Sequence, residues 1–226
     1  DVELNTFNIS IEDLKKKITS KTKAIICVHV LGTSANLNQI KKIINKKNII
    51  LIEDTCESLG AKFNNKFLGT FGEFGTFSFY YSHQITSGEG GMIVCNNVKN
   101  YNIIKSLRSH GWSRETTFHN IYKKKFKKLD DRFLFINSGY NLRPTDIQAA
   151  IAYNQFKRLN KFITTRNYNR KKIIEKVKNN KKWNNQFYFI NHSKMIKPSW
   201  FGLPILIKNK FLNKKKKFLE HLTKSG

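Results

Sequence analysis

The chain has 226 residues, enough for one domain with a sizeable core and part of a second. Hydrophobic residues make up 39% and aromatic residues 13% of the chain, which excludes an intrinsically disordered protein. The formal net charge of +27 makes a basic nucleic-acid-binding protein one alternative. Lys, Asn and Ile recur throughout ordinary helical patterns, however, so a genome rich in A/T codons is the simpler explanation of the charge. No nucleic-acid-binding motif accompanies it.

The three cysteines, Cys27, Cys56 and Cys95, each lie in an apolar strand-like run. This pattern predicts buried free thiols in a reducing compartment, and therefore a cytoplasmic protein. No apolar run approaches the roughly 20 residues of a membrane helix, and no residues are spaced as metal ligands. The chain begins with Asp1 in a strand-like segment, so we expect a fragment of a longer protein.

The first sixty residues alternate between helical and strand-like patterns. Residues 9–19 have apolar positions at helical spacing, with Ser10 as the expected N-cap. Residues 23–32 form a continuous apolar run, which predicts a strand buried on both faces. The segment "NLNQIKKIINKK" follows as a helix, and residues 48–61 form a second buried strand. This order predicts a mostly parallel sheet covered by helices.

Two further strands, "GTFSFYYS" and "GMIVCNN", are predicted on either side of a histidine and a glycine-rich turn. A helix is expected from Asn100 to Ser109, followed by an irregular basic loop through Asp131. A long helix begins near Thr145, with a Thr/Asp cap after a proline. After about Asn179 the pattern changes to short aromatic strands and a last helix, which suggests the beginning of a second, smaller domain.

Polar residues lie at the carboxyl ends of these predicted strands, where open α/β sheets bind ligands. Glu53, Asp54 and Glu57 either stabilise a helix N-terminus or face a cationic partner such as a protonated heterocycle. Ser78 is followed at the fifth residue by His83, which is placed either for proton transfer or for a structural role. The segment "GEGG" matches neither a P-loop nor a dinucleotide fingerprint, and it predicts a tight turn between strands.

Five sequence blocks occur in a familiar order, and together they resemble the DegT/DnrJ/EryC1/StrS family of pyridoxal-phosphate sugar aminotransferases. They are "VHVLGTSANLNQI", "LIEDTCESLGAKFNNKFLGTFGEFGTFSFYYSH", "GEGGMIVCNN", "LRSHGWSRE" and "GYNLRPTDIQAAIAYNQFKRLNKFITTRNYNRKK". The resemblance implies an aspartate aminotransferase-like fold (fold type I), with a mostly parallel sheet, helices on both faces and a smaller C-terminal α+β domain. Residues 1–165 are then part of the large cofactor-binding domain, without its N-terminal portion. Residues 166–226 are the connecting helix and the start of the small domain.

The resemblance also implies a homodimer with shared active sites and four cofactor-binding residues. Asp54 faces the pyridine nitrogen, and a carboxylate there keeps the ring protonated as an electron sink. Glu57 lies near the ring hydroxyl, where the family's aminotransferases mostly have Gln. Ser78 holds the phosphate. Asn141 reaches the cofactor of the other subunit.

The chain departs from the family at His83. In the family's aminotransferases the fifth residue after the serine is the lysine that bonds to the cofactor, and an imidazole has no primary amine. No lysine lies between Phe67 and Val98. We interpret His83 as the catalytic residue of the family's sugar 3-dehydratase branch, in which histidine replaces the lysine. A non-catalytic relative and an aminotransferase that uses a lysine from a missing segment are the alternatives.

The implied reaction removes the C3 hydroxyl of a 4-keto-6-deoxy nucleotide sugar in deoxysugar and lipopolysaccharide biosynthesis. The cofactor is used as pyridoxamine phosphate, a histidine with a pKa of about 6.5 moves the proton, ammonia is released, and glutamate restores the cofactor. His110 and Arg114 are expected to contact the substrate across the dimer. No iron–sulfur cluster is expected, since a [2Fe–2S] cluster takes about four thiolates and no cysteine follows Cys95.

Overall fold

The computed structural model describes residues 1–226, with nine strands and seven α-helices. The strands are β1 (Ala24–Val28), β2 (Ile50–Asp54), β3 (Lys62–Phe63), β4 (Lys66–Phe67), β5 (Phe74–Ser78), β6 (Gly91–Cys95), β7 (Phe187–Phe189), β8 (Ile196–Lys197) and β9 (Ile205–Ile207). The helices are α1 (Ile11–Lys17), α2 (Leu37–Ile44), α3 (Val98–Arg108), α4 (His119–Lys125), α5 (Asp146–Lys157), α6 (Leu159–Lys178) and α7 (Lys215–Ser225).

A four-stranded sheet in the order β1-β2-β5-β6 organises the first hundred residues. Strands β1, β2 and β5 are parallel, and β6 runs antiparallel to β5. The parallel register places Val28 beside Asp54 and Asp54 beside Thr76, so the three parallel strands end at one edge of the sheet. The predicted α/β class with a mostly parallel sheet is therefore confirmed.

Helices α1 and α2 begin at side-chain caps and pack on one face of this sheet. The Ser10 hydroxyl accepts a hydrogen bond from the Asp13 N–H at 3.3 Å, which confirms the predicted cap of α1. Side chains from both helices enter one hydrophobic core with β1 and β2 side chains. Its members are Ile11, Leu14, Ile25, Cys27, Ala35, Leu37, Ile40, Ile49, Leu51, Ala61, Phe63, Leu68 and Ile196.

Strand β1 is buried on one face only, so the prediction of burial on both faces is wrong for this chain. Ile25 and Cys27 point into the core, whereas Ile26 and Val28 are 65% and 42% exposed. The physical reason is that α1 and α2, on either side of β1 in sequence, contribute to the same core cluster. The face that carries Ile26 remains open.

Three local expectations also differ from the structure. Turns rather than a helix follow β2, so the acids after this strand do not stabilise a helix N-terminus. The predicted basic loop contains α4, which buries none of its residues and therefore has no apolar stripe to reveal it. The predicted long helix is two helices, α5 and α6, that meet at Arg158, although its start at Thr145 is confirmed by a capping box with Gln148.

The C-terminal part contributes one strand to a three-stranded sheet and forms a second sheet of two strands. Strand β8 pairs with β3 in the sheet β4-β3-β8, and β7 pairs with β9. The division into residues 1–165 and 166–226 stays a prediction. No helix is both long and apolar enough to cross a membrane. All three cysteines are free thiols, as predicted. Cys27 is buried, whereas Cys56 and Cys95 are partly exposed, so the prediction of burial is wrong for these two.

The core position of Ile40 allows a direct test of this packing. Ile40 is fully buried in the core cluster, which also contains side chains of α1, β1 and β2. Replacing Ile40 with alanine is expected to lower the free energy of unfolding by about 2–5 kcal/mol, since the lost contacts leave a cavity. Urea unfolding measures the effect, with Lys42→Ala in the exposed face of α2 as the control. An equal loss in both variants would contradict the assigned core.

Candidate functional site

Strand β2 ends with two acids that point to opposite faces of the sheet. Glu53 is fully buried on the core side. Its carboxylate accepts hydrogen bonds from His29 Nε2 at 3.0 Å and from the N–H groups of Gly69 and Gly72 at 2.9 and 2.7 Å. The Ala35 N–H donates to His29 Nδ1, which leaves Nε2–H as the donor to Glu53.

This hydrogen bonding explains how a carboxylate is tolerated in the core. Burial alone raises the pKa of the Glu53 carboxyl, but the hydrogen bonds from His29, Gly72 and Gly69 together outweigh burial and lower the pKa below its ordinary value. Glu53 is therefore an ionised structural group that fixes the segment 69–72 against β2. Glu53 therefore neither stabilises a helix N-terminus nor faces a cationic partner, the two roles considered for these acids.

Asp54 lies on the opposite, open face. Its Oδ1 atom accepts a hydrogen bond from the Cys56 N–H at 3.1 Å, and its Oδ2 atom has no partner in the chain. Asp54 pairs with Thr76 on β5, and Ser78 follows two residues later, so these three side chains share one face. Burial raises the pKa of the neighbouring Cys56 thiol to about 11, so this group stays a neutral thiol.

Glu57 connects three segments at the same sheet edge. Its Oε2 atom accepts a hydrogen bond from the Leu31 N–H at 2.8 Å. Its carbonyl oxygen accepts a hydrogen bond from the Gln84 side-chain amide. Glu57 therefore joins the turn after β2 to the turn after β1 and to the loop that carries His83.

Ser78 is the last residue of β5 and pairs across the sheet with Gly91. The loop that carries His83, residues 79–90, connects these two residues. The loop is closed by hydrogen bonds from Phe79 N–H to the Gly90 carbonyl and from Ser87 N–H to the Phe79 carbonyl. Gly88 and Gly90 have positive φ, so the predicted glycine turn exists as the last part of a longer loop. The Ser78 hydroxyl oxygen accepts from the Tyr80 N–H at 3.2 Å, which leaves its O–H free to donate.

His83 lies in this loop, partly buried, and its side chain makes no hydrogen bond within the chain. The rings of Tyr80 and Phe201 meet the imidazole edge-to-face, with centroids at 5.7 and 5.4 Å. The Nδ1 atom is buried and has no partner. Because buried polar atoms are normally hydrogen-bonded, the missing partner indicates that a group from outside the chain binds here.

These side chains fit the cofactor that the resemblance implies. The free Oδ2 atom of Asp54 would accept a hydrogen bond from a protonated pyridine nitrogen, and the free O–H of Ser78 would donate to a phosphate. The unpartnered imidazole of His83 lies in the loop that begins at Ser78. The placement of Asp54, Glu57, Ser78 and His83 as cofactor and catalytic residues stays a prediction.

The other three predicted site residues form a separate group around Trp112. The His110 ring lies 5.3 Å from the Trp112 ring, and the Arg114 guanidinium lies over the same ring at 4.6 Å. Asn141 is exposed and pairs with Ser109 in an isolated bridge next to His110. None of the three forms a hydrogen bond or ring contact with the residues around Asp54, so their expected roles across a dimer stay predictions.

Sequence reasoning missed the aromatic residues of both groups. Tyr80 is close in sequence to His83, and Trp112 to His110. An aromatic residue near a candidate histidine could have indicated a ring contact with it. Phe201 is far along the chain from His83, and nothing in the local pattern connects the two.

Comparison with known proteins agrees with the fold. The model of the DegT/DnrJ/EryC1/StrS aminotransferase family matches residues 1–226. The chain is 40% identical over 228 residues to the GDP-4-keto-6-deoxy-D-mannose 3-dehydratase of Escherichia coli O55:H7, covering 100% of this chain and 57% of the relative. It is 36% identical over 210 residues to the enzyme of the same name from Yersinia pseudotuberculosis, covering 92% of this chain and 52% of that protein.

A solved structure gives the same result in three dimensions. The E. coli GDP-4-keto-6-deoxy-D-mannose-3-dehydratase with bound hydrated PLP superposes with a TM-score of 0.89 at 39% identity, covering 100% of this chain and 57% of that one. This match confirms the predicted aminotransferase-type fold. The chain spans a little over half the length of these relatives. It belongs to the DegT/DnrJ/EryC1/StrS aminotransferase family.

Proposed function

We propose that the protein is a nucleotide-sugar 3-dehydratase that removes the C3 hydroxyl of a 4-keto-6-deoxy sugar with pyridoxamine phosphate as cofactor. The observation that carries the proposal is the imidazole of His83 in the loop after Ser78, beside a sheet edge that presents the free Asp54 carboxylate oxygen. The loop contains no lysine, so no primary amine lies at the position that an aminotransferase needs.

The cofactor, when bound, supplies the amine for the sugar ketone and a conjugated ring that accepts electrons. Asp54 holds the protonated pyridine nitrogen through Oδ2, and an ionised carboxylate favours that protonation state. Ser78 donates its hydroxyl hydrogen to the phosphate. Glu57 keeps one carboxylate oxygen, Oε1, available for the ring hydroxyl, since Oε2 is occupied by the Leu31 N–H.

His83 moves the proton. The imidazole would take up the proton from the C4′ carbon of the cofactor at one ring nitrogen and then donate it to the departing C3 hydroxyl, which leaves as water. Nδ1 is the buried ring nitrogen and Nε2 is not buried, so we assign Nε2 as the nitrogen that reaches a bound sugar. The loop has no lysine amine, so the nitrogen that the cofactor supplies would leave as ammonia by hydrolysis.

The substrate and partners follow from the same proposal. The names of the relatives favour GDP-4-keto-6-deoxymannose as the nucleotide sugar. A solved GDP-4-keto-6-deoxymannose-3-dehydratase with a trapped PLP-glutamate geminal diamine, 38% identical to this chain, favours glutamate as the donor that restores the cofactor amine. We propose a cytoplasmic homodimer in which Asn141 reaches the partner's cofactor and His110 and Arg114 contact the substrate. The exposed position of Asn141 in this chain supports a role at an interface.

The test uses the complete gene product with pyridoxamine phosphate, glutamate and GDP-4-keto-6-deoxymannose. We expect a sugar nucleotide that has lost the mass of one oxygen atom, with ammonia and 2-oxoglutarate formed in equal amounts. Mass spectrometry and an ammonia assay measure these products. A sugar that retains the amino nitrogen would instead establish an aminotransferase, and the absence of any conversion would overturn the proposed activity.

A further inference from the structure

We propose that Phe201 is a positioning residue for His83, and that Leu31 and Gly32 hold it in place. This inference rests on the proposed function for its effect on catalysis. The contacts that carry it are independent of the cofactor. We call residues 198–201 the docking segment, since they dock on the turn after β1.

The orientation of the His83 ring depends on ring contacts, because its nitrogens have no hydrogen-bond partner in the chain. Tyr80 belongs to the same loop as His83. Phe201 is the ring contact from outside the loop, and its plane lies at 83° to the imidazole with 5.4 Å between centroids. An edge-to-face contact of this kind favours one plane of the imidazole over others.

The docking segment is joined to the turn after β1 through the backbone. The Phe201 N–H donates to the Leu31 carbonyl at 3.1 Å, and the Ser199 N–H donates to the Gly32 carbonyl at 2.9 Å. The approach is so close that a Cβ atom on Gly32 would lie 2.0 Å from the Ser199 carbonyl oxygen. Gly32 therefore permits the contact by having no side chain.

The turn itself is held by Glu57. Leu31 has φ 54° and ψ 31°, a left-handed conformation that residues with a Cβ atom disfavour. The Glu57 carboxylate accepts the Leu31 N–H at 2.8 Å, and the buried Ser58 hydroxyl accepts the Gly32 N–H at 3.1 Å. These bonds fix the direction of the Leu31 carbonyl, to which Phe201 is bonded.

Helix α6 supports the docking segment from the other side. The Arg166 guanidinium donates to the Phe201 carbonyl at 3.3 Å, and the Asn167 side-chain amide donates to the Pro198 carbonyl at 2.9 Å. The backbone of Phe201 is thus held from two sides, while its ring contacts an imidazole that makes no hydrogen bond within the chain. A connected series of contacts runs from Glu57 through Leu31 and Phe201 to His83.

The contact between Phe201 and His83 is expected to affect the rate of proton transfer and not the affinity for the substrate. The plane of the imidazole sets the direction of Nε2, and a displacement of about 1 Å at a reacting group can cost about 10²-fold in rate. Phe201→Leu removes the ring edge while keeping an apolar side chain. We expect kcat to fall about tenfold or more, with KM for the nucleotide sugar changed by less than about twofold.

The experiment compares Phe201→Leu with Phe189→Leu in the complete gene product. Phe189 is a matched control because it is also partly buried, packs against Phe187 and Trp183, and has no ring contact with His83. Phe201→Tyr keeps the ring edge and is expected to recover kcat relative to leucine. If Phe201→Leu fails to fold, Phe201→Met replaces it, since methionine fills the space without a ring.

A second readout does not require the reaction. In protein labelled with ¹⁵N-histidine, the His83 ring resonances are assigned by their loss in His83→Asn. We expect Phe201→Leu to shift or broaden these resonances, and Phe189→Leu to leave them in place. Unchanged resonances in Phe201→Leu, or a kcat equal to that of Phe189→Leu, would overturn the positioning role. Failure of the wild-type protein to dehydrate the sugar would overturn the proposed function, while the resonances still decide the role of Phe201.

Discussion

Replacing His83 with asparagine is expected to lower the rate of sugar dehydration by about 10²–10⁴-fold, the usual contribution of a positioned general acid–base group. Asparagine resembles the imidazole in size and polarity, but its amide cannot take up and return a proton near neutral pH. The variant should fold normally, because the His83 side chain has no hydrogen bond in the chain to lose. Single-turnover kinetics with the cofactor supplied as pyridoxamine phosphate measure the rate.

The control for this experiment is His221→Asn. His221 is exposed on α7, outside every group of site residues, so its loss should leave the rate unchanged. Cofactor absorbance in both variants checks that the site is still occupied. A rate within about twofold of wild type in His83→Asn, with cofactor bound, would show that another group moves the proton.

Replacing Glu53 with glutamine is expected to lower the free energy of unfolding by about 1–3 kcal/mol, the usual cost of a buried polar group left without its hydrogen-bond partner. The amide presents an NH₂ group toward donors, whereas the carboxylate accepts from His29 and from the N–H groups of Gly69 and Gly72. At least one buried donor then loses its acceptor. Urea unfolding at pH 7 measures the difference, with the exposed Glu12→Gln in α1 as the control, expected to change stability by less than about 0.5 kcal/mol.

This difference should depend on pH in a definite direction. The pKa of the Glu53 carboxyl is lowered in the folded protein, so its contribution is fully present above the ordinary glutamate pKa of about 4.3. As pH falls through the lowered pKa, the carboxyl is protonated in both states and the contribution is lost. The gap between wild type and Glu53→Gln should therefore narrow in acid. A gap that widens with acid would mean that Glu53 is buried as the neutral acid.

The sheet and most helices followed from local patterns in the sequence, because hydrophobic periodicity reports which residues share a face. The same logic separates Glu53 from Asp54, since neighbouring strand residues point to opposite faces. The local sequence pattern did not predict which face of β2 packs on the core. This depends on His29 and the segment 69–72, which meet Glu53 only in the folded chain.

The resemblance to a family supplied what periodicity lacked, namely roles for Asp54, Ser78 and His83. It did not supply the contacts that hold them. The Phe201 ring reaches His83 through a docking segment formed after a long helix, and such long-range packing leaves no mark on the local pattern. Helix α4 was missed for the opposite reason, because it buries nothing and its sequence looks like a basic loop.

The closure of loop 79–90 has an evolutionary consequence. Backbone hydrogen bonds at Phe79 and Ser87 set its path, and the side chain at position 83 takes no part in them. The path of the loop therefore does not depend on that one side chain, and under the proposed function its exchange would decide whether nitrogen is kept or released. In such a lineage, the residue at this position can change while the backbone of the loop around it is retained.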